Sequence, residues 1–278
     1  MKTSSLNDKI QRVLQINKNQ LKQFYEKCQK DKLIGIDTEF YRVDTYYPKL
    51  CLIQLANNSD SILLDPITQD LDYKLLKKLL FNTKIKKIFH AARQDIEIFF
   101  NIYKKVPLPI YDIQIYLEQL GYNHSVSYAK ACKDLLNVEI NKNNQFIDWR
   151  VRPLDSNKIQ YALNDVRYLI PIYNIIKKKL KIRNLKQIRS LHQKIINVNI
   201  YAKKINNAWE KFKFKPCNRY ELNKLKKYSR LRERIAIQKD VPVRRVASDE
   251  EIRLICKQNI DKEIKKKIML KLNIKKIY

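Results

Sequence analysis

Three short apolar segments in the first quarter of the chain constrain its fold most strongly. LIGID at 33–37, LCLIQLA at 50–56 and SILLD at 61–65 are bounded by polar or turn-forming residues, as buried strands are. Their close spacing along the chain predicts an antiparallel meander. Segments with strand and helix patterns then alternate to about residue 180. Because strands come first and alternation follows, the sequence predicts an α/β domain with a mixed sheet.

The alternating part contains one clear strand and several helices. The strand is predicted at 85–89, and 109–114 supplies either a further strand or the start of a helix. Beyond about residue 181 no strand pattern remains, so the rest of the chain is predicted to be helical. Apolar residues at helical spacing predict helices at 72–81, 91–103, 112–120, 126–137 and 156–180.

The loss of strand patterns indicates a second, smaller domain. A chain of 278 residues has room for one domain of ordinary size and a smaller one. We place the boundary between about 200 and 212, which gives an α/β domain at 1–205 and an all-helical domain at 206–278. The helical part predicts three or four short helices, and SDEE at 248–251 predicts a capping box at the start of one of them.

The charge of the chain is strongly positive and unevenly distributed. Its net charge is +30, and residues 171–278 alone carry 32 basic and 9 acidic residues, a net charge of +23. Such an excess favours a polyanionic partner, because each neutralised phosphate releases counterions. The chain is also rich in Lys, Ile and Asn and has only 2 Gly, which a compositionally biased genome would produce as well. Charge by itself therefore does not decide in favour of nucleic acid.

Several features predict a cytoplasmic protein with no membrane span. No apolar run approaches the roughly 18 residues that a transmembrane helix needs. The segment MKTSSLNDKIQRVL at the N-terminus lacks the apolar core and cleavage site of a signal peptide. The 5 cysteines are scattered without a CxxC pair, so we expect reduced thiols and neither a disulfide framework nor a zinc site.

Four acidic residues and one tyrosine in three separate segments predict a metal site. Asp37 and Glu39 lie two apart in a strand, so their side chains project from the same face. Tyr161 and Asp165 lie four apart in a helix and also share a face, while Asp95 lies near the start of another helix. Carboxylates that converge in one pocket repel one another unless cations neutralise them. We therefore expect about two divalent ions, Mg²⁺ or Mn²⁺, which is the arrangement of a two-metal phosphodiesterase.

Each element of this set has an ordinary alternative explanation. A DxE pair is common at a solvated strand end, and Asp95 by itself resembles a surface acid in a first helical turn. Tyr161 alone resembles a core aromatic residue. Phe40 and His90 are weaker candidates for contact with nucleic acid. Phe40 follows the first acidic pair and would stack on a terminal base, whereas His90 would either touch a phosphate or be buried and hydrogen-bonded.

Three longer segments resemble the Exo I, Exo II and Exo III motifs of the DEDD exonuclease superfamily. In the third segment, a tyrosine four residues before the aspartate marks the DEDDy branch of that superfamily, and DWRVRPL ahead of it is specific to the ribonuclease D group. The resemblance covers about residues 30–180. The segments are IDTEFYRVDTYYPKLCLIQLA, IFHAARQDIEIF and FIDWRVRPLDSNKIQYALNDVRYLIPIY.

This resemblance implies a fold and a set of residue roles. The implied fold is RNase H-like (DnaQ-like), with a mixed sheet flanked by helices. All five motif positions carry the residue types of the active family members. The resemblance implies metal ligation by Asp37, Glu39, Asp95 and Asp165, and activation of the attacking water by Tyr161.

The C-terminal region resembles an HRDC domain, a small helical bundle found in ribonuclease D and RecQ-type helicases. The resemblance lies in LRERIAIQKDVP at 231–242 and RRVASDEEI at 244–252, and it departs from the family at Leu231, where Trp is frequent. It implies contact with RNA, for which Arg232 is a candidate, or else docking on the catalytic domain. The residues at family positions are Arg232, Ala236, Pro242 and Asp249.

Together the motifs predict a metal-dependent 3′→5′ exoribonuclease that trims the 3′ ends of precursor tRNA or other structured RNA and releases nucleoside 5′-monophosphates. The same site would serve a 3′→5′ DNA exonuclease of the Werner or proofreading type, because the 2′-hydroxyl contacts that distinguish RNA from DNA are not readable in the motifs. A noncatalytic RNA-binding protein on the same fold is a further alternative, which the intact carboxylates disfavour.

Overall fold

The computed structural model describes residues 16–140, 147–181, 184–202 and 205–274. The chain divides into two compact units. The first consists of Met1–Tyr41 and Leu50–Tyr201, and the second consists of Arg42–Lys49 and Ala202–Tyr278. The division after Tyr201 lies near the boundary expected from the sequence, but the sequence gives no sign that Arg42–Lys49 belongs with the second unit.

A five-stranded mixed sheet forms the centre of the first unit. The strand order is β3-β2-β1-β4-β5. β2 and β3 pair antiparallel, whereas β4 pairs parallel with both β1 and β5. This confirms the predicted mixed sheet, and it shows that 109–114 holds both a strand end and a helix start. The strands are β1 (Leu33–Tyr41), β2 (Lys49–Ala56), β3 (Ser61–Leu64), β4 (Lys86–Phe89) and β5 (Ile110–Asp112).

Helices flank the sheet, and one predicted helix is in fact two. The prediction of a single helix at 156–180 is wrong, because the helix breaks at Tyr168. The Tyr128 hydroxyl lies within the break, where it accepts a hydrogen bond from the Tyr168 amide and donates one to the Asn164 carbonyl, both at 3.1 Å. Pro171 follows and has no amide hydrogen to continue the helical ladder. The helices are α1 (Lys18–Asp31), α2 (Tyr73–Leu80), α3 (Arg93–Tyr103), α4 (Ile113–Gln119), α5 (Tyr128–Leu136), α6 (Ser156–Arg167), α7 (Leu169–Lys179) and α8 (Asn184–Ile196).

The sheet is covered on both faces, and Gly35 sets how closely the helices approach it. Ile34 and Ile36 are fully buried in the cluster that contains α1, α2 and α3. On Gly35, a Cβ atom would lie 3.3 Å from both Leu169 Cβ and the Val166 carbonyl oxygen. The absence of a side chain at Gly35 therefore lets α6 and α7 pack closely against β1.

Several helices end in a left-handed residue that is not glycine. Lys32 follows α1 with φ 55°, and Lys104 follows α3 with φ 53°. Asn137 ends α5 in the same way. A left-handed residue commonly closes a helix, and glycine is the usual choice because it has no Cβ. With 2 glycines in 278 residues, this chain uses lysine and asparagine instead.

From Ile205 to Ile274, the second unit consists of helices and the turns that connect them. It begins with a 3₁₀ turn at Ile205–Lys211. The first helix after it is longer than the short helices that the sequence predicts. The predicted capping box is confirmed, since Ser248 and Glu251 exchange side chain-to-amide hydrogen bonds. The helices are α9 (Arg219–Lys239), α10 (Val243–Val246), α11 (Asp249–Cys256) and α12 (Lys262–Lys271).

Arg42–Lys49 is held in the second unit by polar contacts with α9. The Tyr46 hydroxyl donates to the carboxylate of Glu233 at 2.6 Å, and Lys211 donates to the same carboxylate at 3.0 Å. The Tyr46 amide donates to Asp240 at 3.1 Å. Glu233 is buried, so these donors satisfy a carboxylate that would otherwise be costly to desolvate.

Two further features concern the cysteines and the helices. All five cysteines are free, as expected, and only Cys217 among them is exposed. None of the helices in the described residues is long and apolar enough to cross a membrane. The segment in which the sequence predicts no signal peptide lies outside the described residues.

Candidate active site

β1 and α6 bring three of the predicted carboxylates together. Asp37 and Glu39 project from β1, and Asp165 lies on α6. Helix α6 packs close to β1 because Gly35 has no side chain. One carboxylate oxygen from each residue lies within 4.8 Å of those of the other two. All three side chains are half-buried. The predicted convergence of the strand pair with the helix is therefore present in the structure.

Asp95, the fourth predicted ligand, lies beside this group but is held by Thr38. It is buried in the first turn of α3, and its Oδ1 accepts a hydrogen bond from the Thr38 hydroxyl at 2.5 Å. Burial and the charge of Asp37 raise the pKa of Asp95, so the two carboxylates are close enough to repel each other. Asp95 is not one of the three residues whose oxygens cluster within 4.8 Å.

The sequence analysis missed Asp112, which fixes the start of α3. Ala92, the N-cap residue of that helix, provides no side-chain cap, and Ala91 before it has a left-handed φ of 56°. Asp112 replaces the missing cap, because its carboxylate accepts from the amides of Ala91 and Ala92, each at 2.9 Å. The same carboxylate accepts from the Gln114 amide at 3.0 Å and so also caps α4. The sequence could have indicated Asp112 as the N-cap of α4, because aspartate is common immediately before a helix. Nothing in the sequence reveals that Asp112 also accepts from the Ala92 amide, twenty residues earlier.

Burial and mutual repulsion raise the pKa values of the clustered carboxyl groups. Burial, then Asp37 and Asp165, raise the pKa of Glu39 to about 10. Burial raises the pKa of Asp165 to about 7, and burial and Asp165 raise that of Asp37. Among the described residues, no lysine or arginine forms an ion pair with the three carboxylates or with Asp95. A crowded set of oxygen ligands without a cationic partner fits hard divalent cations.

Tyr161 lies one helical turn before Asp165, and the two side chains are close enough to influence each other's pKa. Its ring packs against the buried Trp149, with ring centres 6.1 Å apart. Burial and the charges of Asp165 and Glu39 raise the pKa of the Tyr161 hydroxyl, so it remains protonated at neutral pH. The structure thus places a neutral hydroxyl donor next to the carboxylates.

The segment before α6 is fastened to the sheet by an arginine that the sequence analysis did not single out. Arg152 donates to both carboxylate oxygens of Asp65, at 2.7 and 2.9 Å, and this ion pair is largely buried. It also donates to the carbonyl of Cys51 in β2 at 2.9 Å and to that of Trp149 at 2.7 Å. These contacts explain the second arginine of DWRVRPL. The resemblance drew attention to the segment but could not identify Asp65 as its partner.

The three weaker candidates have different environments. Phe40 is half-buried at the end of β1, next to Glu39. The His90 ring lies 5.6 Å from that of Tyr128, and burial lowers the pKa of His90 to about 4, so it is neutral at pH 7. His90 is half-buried, and its Nδ1 atom is buried without a hydrogen-bond partner in the described part of the chain, so the predicted hydrogen bond is absent at that atom. The neutral ring gives no cation for a phosphate.

Arg232 is not at the surface, which corrects its selection as a contact for nucleic acid. It is buried, with 5% of its surface exposed, and donates to Asp249 at 2.8 Å and to the Ala247 carbonyl at 3.0 Å. Its guanidinium also lies 4.6 Å from the centre of the Phe212 ring. Arg232 therefore stabilises the interior of the helical unit.

A family model and the relatives with known names both relate this chain to exonucleases. Residues 15–181 match a family model described as 3′-5′ exonuclease. Ribonuclease D of Bartonella henselae is 40% identical over 220 residues, which cover 78% of this chain and 54% of that protein. Ribonuclease D of Sphingobium indicum is 34% identical over 232 residues, covering 83% and 60%. The chain thus spans little more than half the length of these relatives.

Solved structures share the fold. A crystal structure of Escherichia coli RNase D, described as an exoribonuclease involved in structured RNA processing, superposes with a TM-score of 0.77 at 24% identity and covers 92% of this chain and 73% of its own. Brucella melitensis NrnC with bound Mg²⁺ superposes with a TM-score of 0.56 at 21% identity, covering 68% and 92%. At these identities the likeness is one of fold.

Proposed function

Since the chain belongs to the 3′-5′ exonuclease family, we propose that it is a metal-dependent 3′→5′ exoribonuclease that releases nucleoside 5′-monophosphates. The observation that carries this proposal is the cluster formed by Asp37, Glu39 and Asp165, with Tyr161 one helical turn before Asp165. RNA is the favoured polymer because the relatives at 34% and 40% identity are both ribonucleases D.

The four carboxylates would hold two divalent ions, Mg²⁺ or Mn²⁺. Support comes from the oxygen-only donor set, from its lack of a cationic partner among the described residues, and from the Mg²⁺ bound in NrnC, which shares the fold. When bound, such ions lower the pKa of a coordinated water and stabilise the charge that develops during phosphoryl transfer. The ligands would be Asp37, Glu39, Asp95 and Asp165.

The remaining residues would orient these groups and the substrate. The protonated Tyr161 hydroxyl lies on the same helix face as Asp165, and from this position it would orient the attacking water. The Thr38 hydroxyl fixes one Asp95 oxygen and leaves the other available as a ligand. Phe40 would stack on the terminal base, since it directly follows Glu39 in the chain.

The substrate would be the 3′ end of structured RNA, such as precursor tRNA. Support comes from the ribonuclease D relatives and from the description of the E. coli structure as an exoribonuclease involved in structured RNA processing. The basic C-terminal half of the chain suits such a polyanion. The helical unit would act as an HRDC-like module that contacts this RNA.

The test uses a 5′-labelled RNA with a tRNA-like stem and a single-stranded 3′ tail, incubated with Mg²⁺ or with EDTA. Wild-type protein should produce a ladder that shortens from the 3′ end only with Mg²⁺. Asp165→Asn should abolish turnover, because it removes a charged ligand, and should retain RNA binding. Asp70→Asn is the matched control, since Asp70 is an exposed acid outside the cluster.

Two outcomes would contradict the proposal. Cleavage by Asp165→Asn at the wild-type rate would remove the assigned site. Tight RNA binding without release of mononucleotides would indicate a noncatalytic binding protein. A DNA oligonucleotide of the same sequence, tested in parallel, would identify a DNA exonuclease if it were the better substrate.

A further inference from the structure

One face of α9 is exposed and uniformly basic. Lys227, Arg230 and Arg234 are exposed and follow one another at intervals of three and four residues, so they lie in a single row on the helix. Asn223 extends this row in one direction and Gln238 in the other, and both are exposed. The row therefore carries three positive charges flanked by neutral amides and no carboxylate.

The acidic residues of α9 are committed elsewhere. Glu221 accepts a hydrogen bond from the Cys217 amide at 2.8 Å, near the start of the helix. Glu233 is buried and is occupied by Tyr46 and Lys211. Within the described part of the chain, none of the ion pairs includes a basic residue of the row. Its charges are thus available to an external anion.

Buried contacts fix which side of α9 faces outward. Arg232 points inward and is held by Asp249 and by the ring of Phe212. Arg230 and Arg234, two residues away on either side, consequently point to solvent. The outward face forms a shallow depression of about 440 Å³, lined by Asn223, Lys226, Lys227, Arg230, Leu231 and Arg234.

We propose that this face of α9 is a binding surface for the phosphate backbone of an RNA strand. Neighbouring charges on a helix face are about 5–6 Å apart, and arginine matches the two oxygens of a phosphate with a fork of N–H donors. The exposed asparagine and glutamine add neutral donors for phosphate or sugar oxygens. The choice of RNA as the polyanion rests on the proposed function.

The other lysine-rich helix of this unit is less suitable. In α12, Lys262, Lys265 and Lys266 are exposed, but Glu263 and the apolar Ile264 are exposed among them. That helix has no arginine, so it lacks the forked donors of the α9 face. α12 therefore supplies a control with the same change in charge at a different place.

The experiment measures RNA affinity as a function of salt, in the 278-residue chain that carries Asp165→Asn to prevent cleavage. The probe is an RNA with a stem and a 3′ tail. One variant adds K227Q, R230Q and R234Q, and the control adds K262Q, K265Q and K266Q. The α9 variant should bind roughly tenfold more weakly near 150 mM salt, and its plot of log K against log salt should be less steep by about 2, from about 0.7 per lost contact on a single strand.

The α12 variant distinguishes a specific binding site on α9 from a general effect of the lost positive charge. The α12 variant should keep an affinity and a salt slope close to those of the parent protein. Equal losses in both variants, or no loss in the α9 variant, would overturn the proposal. Poly-glutamate is run as a competing probe, and a preference of the α9 face for it over RNA would point to an acidic protein partner and would also overturn the proposal. Unchanged melting temperatures are expected, because all six side chains are exposed.

Failure of the inference can be told apart from failure of the proposed function. The three α9 substitutions are also made with Asp165 intact, and release of mononucleotides is measured on a five-nucleotide RNA and on the long RNA. We expect cleavage of the short RNA at the wild-type rate and slower cleavage of the long one at low concentration. If wild-type protein cleaves neither RNA, the proposed function fails, and the binding comparison still decides the role of α9.

Discussion

At the residue scale, the candidate active site is an arrangement that opposes folding. Three carboxylates share a small, partly buried volume, and burial together with their mutual charges raises their pKa values. Each charged carboxylate in this cluster is less stable than it would be in water. A protein tolerates such a cluster when a ligand compensates for it, so binding of cations and loss of protons should be linked.

This linkage gives a prediction for metal binding at pH 7. In the metal-free protein, burial and mutual repulsion raise the pKa of Glu39 to about 10, and burial raises that of Asp165 to about 7, so both carboxyl groups hold protons more readily at pH 7 than they would in water. A divalent cation favours the charged carboxylates and lowers both pKa values, so binding should release roughly one proton or more. Calorimetric titration of Mn²⁺ in buffers of different ionisation enthalpy measures this number. Glu39→Gln should release fewer protons, and a heat independent of buffer would contradict the linkage.

Asp112 gives a second prediction, which concerns positioning. Asp112→Asn replaces one carboxylate oxygen by an NH₂ group that faces an amide donor, so α3 loses part of its only side-chain cap. We expect a loss of about 1–2 kcal/mol in stability and a lower kcat with little change in KM for RNA, because Asp95 in the first turn of α3 is displaced.

Asp72→Ala is the stability control for this variant. Asp72 caps α2 by accepting from the Leu75 amide at 2.9 Å, and α2 carries none of the site residues. Because alanine cannot accept this bond, Asp72→Ala should lose about 1 kcal/mol of stability and keep its kcat. If both variants lose kcat equally, the effect of Asp112 is one of stability alone.

At the scale of elements, the sequence was informative wherever the pattern was local. Strands β1, β2 and β3 follow from short apolar runs, and the paired acids of β1 follow from its alternation. The break between α6 and α7 was missed because its cause is the Tyr128 hydroxyl, which comes from α5. The caps and ion pairs that hold the site elements, such as Asp112 and Asp65, were missed for the same reason. Their partners are far away in the chain.

The ion pair that fastens the segment before α6 gives a third prediction. Arg152→Lys keeps a positive charge but cannot donate to both Asp65 oxygens and to the carbonyls of Cys51 and Trp149. We expect a loss of about 1–3 kcal/mol in the free energy of unfolding at pH 7, because Asp65 keeps a charged partner but several hydrogen bonds are lost. Arg150→Lys is the control, because its pair with Asp148 is exposed and should contribute less than about 1 kcal/mol.

The same pair determines a dependence on pH. Burial acts to raise the pKa of Asp65, but hydrogen bonds from Arg152 and Thr68 outweigh it, so this pKa is lowered. The pair therefore contributes stability above the unfolded value of about 3.9, and this contribution is lost as pH falls through the folded pKa. Urea unfolding at a series of pH values from 7 down to 2 should show the difference between Arg152→Lys and wild type shrinking as Asp65 becomes protonated. A difference that stays constant over this range would contradict this assignment.

At the scale of the whole molecule, charge and position in the chain did not predict which residues lie inside the second unit or which segments belong to it. The sequence predicted a basic helical second unit, but helical register placed Arg232 inside it and its neighbours outside. Nothing in the sequence joined Arg42–Lys49 to residues nearly two hundred positions later. Such pairings depend on the folded chain, and residue type alone does not reveal them.

Tyr46 gives a fourth prediction at this scale. Tyr46→Phe removes the hydroxyl that donates to Glu233 and leaves that buried carboxylate with fewer donors. The helical unit should lose about 1–3 kcal/mol of stability, which thermal unfolding followed by circular dichroism would detect. Tyr47→Phe is the control, because no described hydrogen bond involves its hydroxyl. Equal melting temperatures for Tyr46→Phe and wild type would show that the bond contributes little.

The left-handed lysines at the ends of α1 and α3 have a consequence for protein engineering. Lys32 and Lys104 adopt a conformation that costs a residue with a Cβ atom roughly 1 kcal/mol, and both side chains are exposed. Glycine at position 32 would close α1 without that cost, whereas glycine at position 104 would also remove the hydrogen bond from the lysine side chain to the Asn101 carbonyl. The end of α1 is therefore a place where the chain could be made more resistant to heat without any change to the carboxylate cluster.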